Sequence, residues 1–146
     1  DQIDALLVAG EVNDSLNRLG PAISAVQRVL ELGAATVGRR VWLARLRFRN
    51  RDFAEAERLA SELLAENAEL ADGLYVLGLA RIGMEDYAGA VDPLERLPKL
   101  RPWSTVAQHN LAVAYLHTCR FGEAGRRWSR VLARDPKNYD ASWTSA

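Results

Sequence analysis

Alanine recurs at positions 22, 56, 90 and 124, a step of 34 residues each time. Laid over itself at that step, the chain from Ile3 to Asn138 divides into four units without insertion, 3–36, 37–70, 71–104 and 105–138. This constrains the fold more than any other feature. A unit of this length cannot bury an apolar face alone, so successive units must stack. Other positions keep their character as well. The eighth is Gly10, Ala44, Gly78 and Ala112, and the twenty-seventh is Val29, Leu63, Leu97 and Val131. The seventeenth is Leu19, Phe53, Tyr87 and Phe121. Small residues at the eighth and twentieth positions let paired helices approach closely, with larger apolar residues filling the space around them.

Each unit reads as two helices with apolar residues at helical spacing. The first helix of unit 1, over 4–17, is expected to break at Gly20-Pro21, with proline opening the second helix and Gly33 ending it. Asp52 and Glu55 have capping-box spacing, and Asp86 is placed to cap a helix. Pro93 predicts a kink about two turns into the second helix of unit 3. Pro98 predicts that this helix ends early, at Leu97. Residues 139–146 read as the start of a capping or next-repeat helix. The whole chain, 1–146, is expected to form one all-α array.

The units resemble tetratricopeptide repeats. Unit 3 carries the pattern through Leu74, Leu77, Gly78, Tyr87, Ala90, Leu94 and Pro102, and unit 4 through Leu111, Ala112, Tyr115, Phe121, Ala124 and Pro136. Units 1 and 2 depart from it, with Ala34 and Ala68 in place of proline and Asn13 and Arg47 in place of tyrosine. The resemblance implies a right-handed superhelical solenoid of stacked antiparallel helix pairs, with the first helices lining a concave groove. It also implies recognition at the second, fifth, ninth, twelfth and thirteenth positions, which share one face of a helix. On or beside those positions lie Leu7, Glu11, Val41, Trp42, Arg45, Phe48, Arg49, Tyr75, Leu79, Ile82, His109, Val113, Leu116 and His117, with Asp4, Asp14 and Ser15 on the same face.

This face is rich in apolar residues. Phe48, Ile82 and Leu116 are equivalent in successive units, as are Val41, Tyr75 and His109. An exposed apolar stripe marks a partner site, and an amphipathic helix or extended apolar peptide would suit it. The alternative is that the stripe meets the next helix of the stack. Chaperone-binding members of the family hold a terminal carboxylate with lysines and asparagines. Leu7, Glu11, Trp42, Asp72 and Val76 stand in those places here, which argues against that mechanism. Arg39, Arg40, Arg45, Arg47, Arg49 and Arg51 crowd the first helix of unit 2. They suit either an acidic or phosphorylated ligand or an internal ion-pair network with Glu11 and Asp14.

The chain carries 19 basic and 19 acidic residues, so no global charge draws it to nucleic acid or an anionic membrane. Its clustered arginines are not interleaved with stacking aromatics along a groove, as single-strand binding requires. No apolar run approaches the ~20 residues of a membrane helix. The lone Cys119 permits no intrachain disulfide and is expected to be a small buried apolar residue. His109 and His117 stand two turns apart, roughly 12 Å along a helix axis, too far to share a metal ion. No phosphate-binding glycine loop or metal-ligand spacing occurs. No catalytic residue, metal or cofactor is assigned, and the chain is not expected to be an enzyme.

The sequence starts at Asp1 without methionine or signal peptide and stops inside a plausible helix, so it reads as part of a longer protein; cytoplasm and periplasm both remain open. The expected function is a protein–protein interaction scaffold that binds a peptide or helix in a largely apolar groove. The alternative is an accessory array of a larger bacterial assembly or enzyme, of the kind associated with polysaccharide export or glycosyltransferases. Self-association is a third expectation, because solenoid ends need a polar capping helix and the ends here offer apolar surface around Leu7 and Trp143.

Overall fold

In the computed structural model, the 34-residue step is also a step of backbone geometry. The structure describes residues 1–100 and 104–137, the side chain of Pro98 excepted. Among them are eight helices and no strand. They are α1 (Gln2–Ser15), α2 (Leu19–Glu31), α3 (Val37–Arg49), α4 (Phe53–Glu66), α5 (Ala71–Gly83), α6 (Tyr87–Leu100), α7 (Thr105–His117) and α8 (Phe121–Arg134). The second helix of every pair starts 34 residues after the previous one, at 19, 53, 87 and 121.

The device that enforces this spacing is a left-handed residue at the end of each first helix. Asn17, Arg51, Glu85 and Cys119 have φ of 55°, 63°, 61° and 61°. After α5, the Glu85 N–H donates to the Ile82 carbonyl at 2.9 Å and the Asp86 N–H to the Arg81 carbonyl at 2.8 Å. The same pair of bonds closes α1, α3 and α7. Carbonyls that a helix end leaves open are thereby satisfied, and the chain is turned toward its partner helix. The first break therefore falls at Asn17, not at Gly20-Pro21. Pro21 is the third residue of α2, where an N–H would have no intrahelical acceptor. Gly33, with φ of 83°, ends α2 as expected.

α6 does not end at Leu97, where Pro98 led us to expect it. It runs unbroken from Tyr87 to Leu100. Pro93 deprives the Gly89 carbonyl of its helical donor, and Arg81 of α5 fills the vacancy, its Nη1 donating to that oxygen at 2.8 Å. The helix also continues past Pro98, because Leu97 before it is fully buried and packing outweighs the local preference. The capping box expected at Asp52 is likewise absent. Its carboxylate accepts from Asn50 Nδ2 at 2.9 Å and Arg47 Nη1 at 3.2 Å, while Glu55 pairs with Arg58. Asp86 does cap α6, accepting from the Gly89 N–H at 3.0 Å.

Contacts divide the chain into two units, 1–76 and 77–146. In the first, Ala22, Val26, Val29, Leu46, Ala56, Ala60 and Leu63 form a core sealed from solvent. In the second, Ala90, Leu94, Leu111, Ala112, Ala124, Trp128 and Val131 do the same. All four alanines of the repeat are buried. Smallness at the eighth position has a direct cause. A Cβ on Gly78 would come within 2.6 Å of Leu94, and one on Gly10 within 2.9 Å of Trp42. Two apolar expectations fail. Cys119 is exposed, because the left-handed turn it occupies lies at a helix end. Phe121 is 63% exposed, although its equivalents are at least half-buried. Pro102, Trp143 and the helix expected over 139–146 lie outside the described residues.

Candidate functional site

The best-formed site lies in the first unit, where α3 faces α1. Thr36 caps α3, its side chain accepting from the Arg39 N–H at 3.2 Å. Leu43, Ala44 and Leu46 commit one side of α3 to the core. Trp42, Arg45 and Arg49, spaced three and four apart, fall together on another side. The absent side chain at Gly10 lets the Trp42 ring lie against α1. Its indole Nε1 donates to Asp14 Oδ2 at 2.8 Å. Arg49 pairs with the other oxygen of the same carboxylate, and its Nη2 donates to Asn17 Oδ1 at 3.0 Å. Burial pushes the Asp14 carboxyl upward. The hydrogen bonds from Trp42 and Arg49 and the charges of Arg49 and Arg45 outweigh it, so the group sits below the ordinary aspartate range.

A cavity of about 490 Å³ opens beside this carboxylate, with Val41, Trp42, Arg45, Arg49 and Asp72 in its wall. A second, of about 480 Å³, is lined by Glu11, Asp14, Ser15, Trp42 and Arg49. Six residues of the expected recognition face lie within residues 1–76 beside Val41 and Arg45: Leu7, Glu11, Trp42, Phe48, Arg49 and Tyr75. Glu11, Trp42 and Arg49 join Val41 and Arg45 at the cavities. Leu7, Phe48 and Tyr75 are half-buried and line neither. Phe48 is turned to Phe53, with ring centroids 5.7 Å apart. Val41 is 8% exposed and belongs as much to the core as to the cavity wall.

The arginine cluster resolves residue by residue. Arg39 donates to the Ala34 carbonyl, Arg40 pairs with Glu66, Arg47 with Asp52, and Arg49 with Asp14. Arg51 lies over the Phe53 ring. Arg45 differs. It is exposed and forms no hydrogen bond or ion pair among the described residues. Most of the cluster is thus an internal network, and one guanidinium stands free at the cavity. Asp14 is the residue that organises this cluster, and its double use by Trp42 and Arg49 was not legible in the sequence.

Beyond residue 76 the expected residues are more deeply committed to packing. Leu79 is 7% exposed, and Ile82, Val113 and Leu116 pack against the core. His117 is exposed and stacks on Tyr87 at 3.8 Å with the rings nearly parallel. The His109 ring lies 6.5 Å from that of Trp128. His109 Nδ1 and Trp128 Nε1 are both buried and have no hydrogen-bond partner among the described residues. No helix of the described residues is long and apolar enough to cross a membrane.

No protein-family model matches the chain, and no curated protein sequence matches it. Solved structures do. A crystal structure of MamA superposes with a TM-score of 0.86 over 99% of this chain and 79% of its own, at 17% identity. MamA 41-end from Desulfovibrio magneticus RS-1 gives 0.87 over 97% and 80%, at 13% identity. MamA from MSR-1 gives 0.84 over 98% and 82%, at 19% identity. The chain has the MamA fold, an all-helical solenoid like those of tetratricopeptide repeats. Identities this low speak for the fold alone.

Proposed function

We propose that this chain is a non-enzymatic protein-interaction scaffold, a single array of four tetratricopeptide-type repeats over 1–146. It binds a partner peptide or helix on the face containing Val41, Trp42, Arg45 and Arg49. The observation that carries this reading is the free guanidinium of Arg45 in the wall of an open cavity, beside the Trp42 ring, where arginines 40, 47 and 49 are already paired. Such a pair of groups suits one acidic and one apolar side chain, presented a turn apart on a helix or on alternate residues of an extended peptide. Arginine's planar fork grips a carboxylate through two parallel hydrogen bonds, and the indole supplies apolar area at little conformational cost. Glu11, Leu7, Phe48 and Tyr75 extend the face, and Leu79, Ile82, His109, Val113, Leu116 and His117 are its counterparts in the later repeats.

The test is peptide selection on the immobilised chain, followed by calorimetric titration of the selected sequences. Selected peptides should carry an acidic residue near an aromatic or aliphatic one. Arg45→Glu should weaken their binding roughly tenfold or more, about 1.4 kcal/mol, with the melting temperature lowered less than by Arg49→Glu, because Arg45 acts on Asp14 through its charge alone. Phe48→Ser with Ile82→Ser separates surface from core. Loss of affinity at constant helicity assigns those residues to the binding face, whereas collapse of the melt assigns them to packing. Peptides that bind Arg45→Glu as well as wild type would place the site elsewhere.

A further inference from the structure

We propose that the partner of this site is a peptide of mixed charge, with an acidic residue for Arg45, an apolar residue for Trp42 and a basic residue for Glu11; this rests on the reading of Arg45 as a group that faces a ligand. The two cavities within residues 1–76 share a wall. Asp14, Trp42 and Arg49 line both, whereas Arg45 lines only the first and Glu11 only the second. The shared wall is closed within itself, because Asp14 accepts from Trp42 and pairs with Arg49. Arg45 and Glu11 are left on either side of it. Both are exposed, and neither side chain forms a hydrogen bond or ion pair among the described residues.

Glu11 and Arg45 both occupy the ninth position of their repeats. α3 packs against α2 on one side and α4 on the other, and Arg45 is exposed nonetheless. Exposure therefore belongs to this repeat position and not to the place of Glu11 in the first helix. The absent side chain at Gly10 brings the Trp42 ring onto α1. Helices joined by such a contact lie about 8–10 Å apart. An extended peptide turns alternate side chains to one face, and at roughly 3.3 Å per residue its first, third and fifth residues span about 13 Å. The flexible stems of arginine and glutamate take up the difference.

Charge selects the ligand further. The walls of the two cavities hold three carboxylates, Glu11, Asp14 and Asp72, against two guanidinium groups, Arg45 and Arg49, a balance of one negative charge. Pairing of Asp14 with Arg49 leaves one guanidinium against two carboxylates. A wholly acidic peptide would satisfy Arg45 but set its remaining charges against Glu11 and Asp72, and a wholly basic one would meet Arg45. Like charges set face to face suppress both. A peptide that carries both signs, separated by an apolar residue on the Trp42 ring, meets an opposite charge at each end. The order of the signs also fixes its direction, with the acidic end on α3 and the basic end on α1.

Peptide selection on the immobilised 1–146 chain, with calorimetric titration of the selected sequences, tests this. Wild type should select an acidic, an apolar and a basic residue in that order on alternate positions. Changing the basic residue of a selected peptide to glutamine should weaken its binding to wild type about threefold, as for an exposed ion pair. The same change should cost nothing on Glu11→Gln, because the two partners then act as one coupled pair. Glu11→Gln is isosteric and its site exposed, so helicity should be unchanged. Arg45→Glu combined with Glu11→Lys should bind peptides in which acid and base are exchanged. Selected peptides that lack a basic residue, or a change to glutamine that costs as much on Glu11→Gln as on wild type, would overturn the proposal and leave the role of Arg45 standing. Peptides that are indifferent to Arg45→Glu as well, or a selection that enriches nothing, would overturn both.

Discussion

Glu85 offers a direct test of the turn that sets the repeat. Its φ of 61° places a Cβ-bearing residue in the left-handed region. For such a residue that conformation costs roughly 1–2 kcal/mol. Its side chain is exposed and forms no hydrogen bond or ion pair among the described residues, so removing it forfeits little. Glycine abolishes the steric cost but adds freedom to the unfolded chain, which subtracts roughly 0.5–1 kcal/mol. Glu85→Gly should therefore stabilise by about 0.5–1 kcal/mol, and its melt should rise by roughly 2–4 °C. Urea denaturation followed by circular dichroism measures this, and Glu85→Ala is the control. Alanine removes the same carboxylate yet keeps the Cβ, so it should gain almost nothing. Cys119→Gly, also exposed with φ of 61°, should repeat the gain. Asn17→Gly should change stability little, because asparagine visits this region at low cost. Should alanine stabilise as much as glycine at 85, or glycine destabilise, the argument from backbone conformation would be refuted.

Gly78→Ala should lose stability by about 1–2 kcal/mol, since the overpacking of Leu94 outweighs the helix propensity gained. Gly125→Ala, where nothing lies within 4 Å of the new Cβ, should gain up to about 1 kcal/mol in the same urea assay. Arg81→Ala should cost about 1–3 kcal/mol by leaving the Gly89 carbonyl without its donor. In a Pro93→Ala background the restored helical N–H should recover part of that loss, and a double-mutant cycle should read a coupling of about 1 kcal/mol; additive losses would deny the compensation. The carboxyls of Asp14, Asp52 and Glu123 are all lowered, so their contribution is complete above the ordinary carboxylate range and is lost as pH falls through and below about 4. Asp14→Asn should lower stability at pH 7 and flatten the acid limb. Tyr115 is shifted the other way, by burial and its bond to Glu95, so stability should also fall as pH rises above about 10. Denaturant midpoints across the pH range check both limbs.

The fold was legible because what repeats is packing. Ala22, Ala56, Ala90 and Ala124 are buried for the reason their spacing implied, and the small eighth position faces Leu94 and Trp42 at closest approach. The turns were not legible, because three of their four left-handed residues are of types that carry no turn signal: Arg51, Glu85 and Cys119. Their conformation is imposed by the helices on either side. Pro93 shows a related limit. Its cost is local, but the donor that offsets it, Arg81, belongs to another helix and reaches the Gly89 carbonyl across the pair.

The candidate site shows the same division more sharply. Helical projection puts Trp42, Arg45 and Arg49 on one side of α3, because that needs only 3.6 residues per turn. It could not say which of the two arginines is free, since that depends on where Asp14, 35 residues before Arg49, comes to rest. The two differ by a single turn of one helix, and their roles are opposite. Arg49 holds α1 in place through Asp14, so Arg49→Glu should damage the unit itself, setting a carboxylate against Asp14. Arg45→Glu removes only a favourable charge near Asp14, so it should lower the melt far less and act mainly on a bound partner. If both substitutions destabilise equally, Arg45 is structural too, and the cavity beside Trp42 has no charge to offer a ligand.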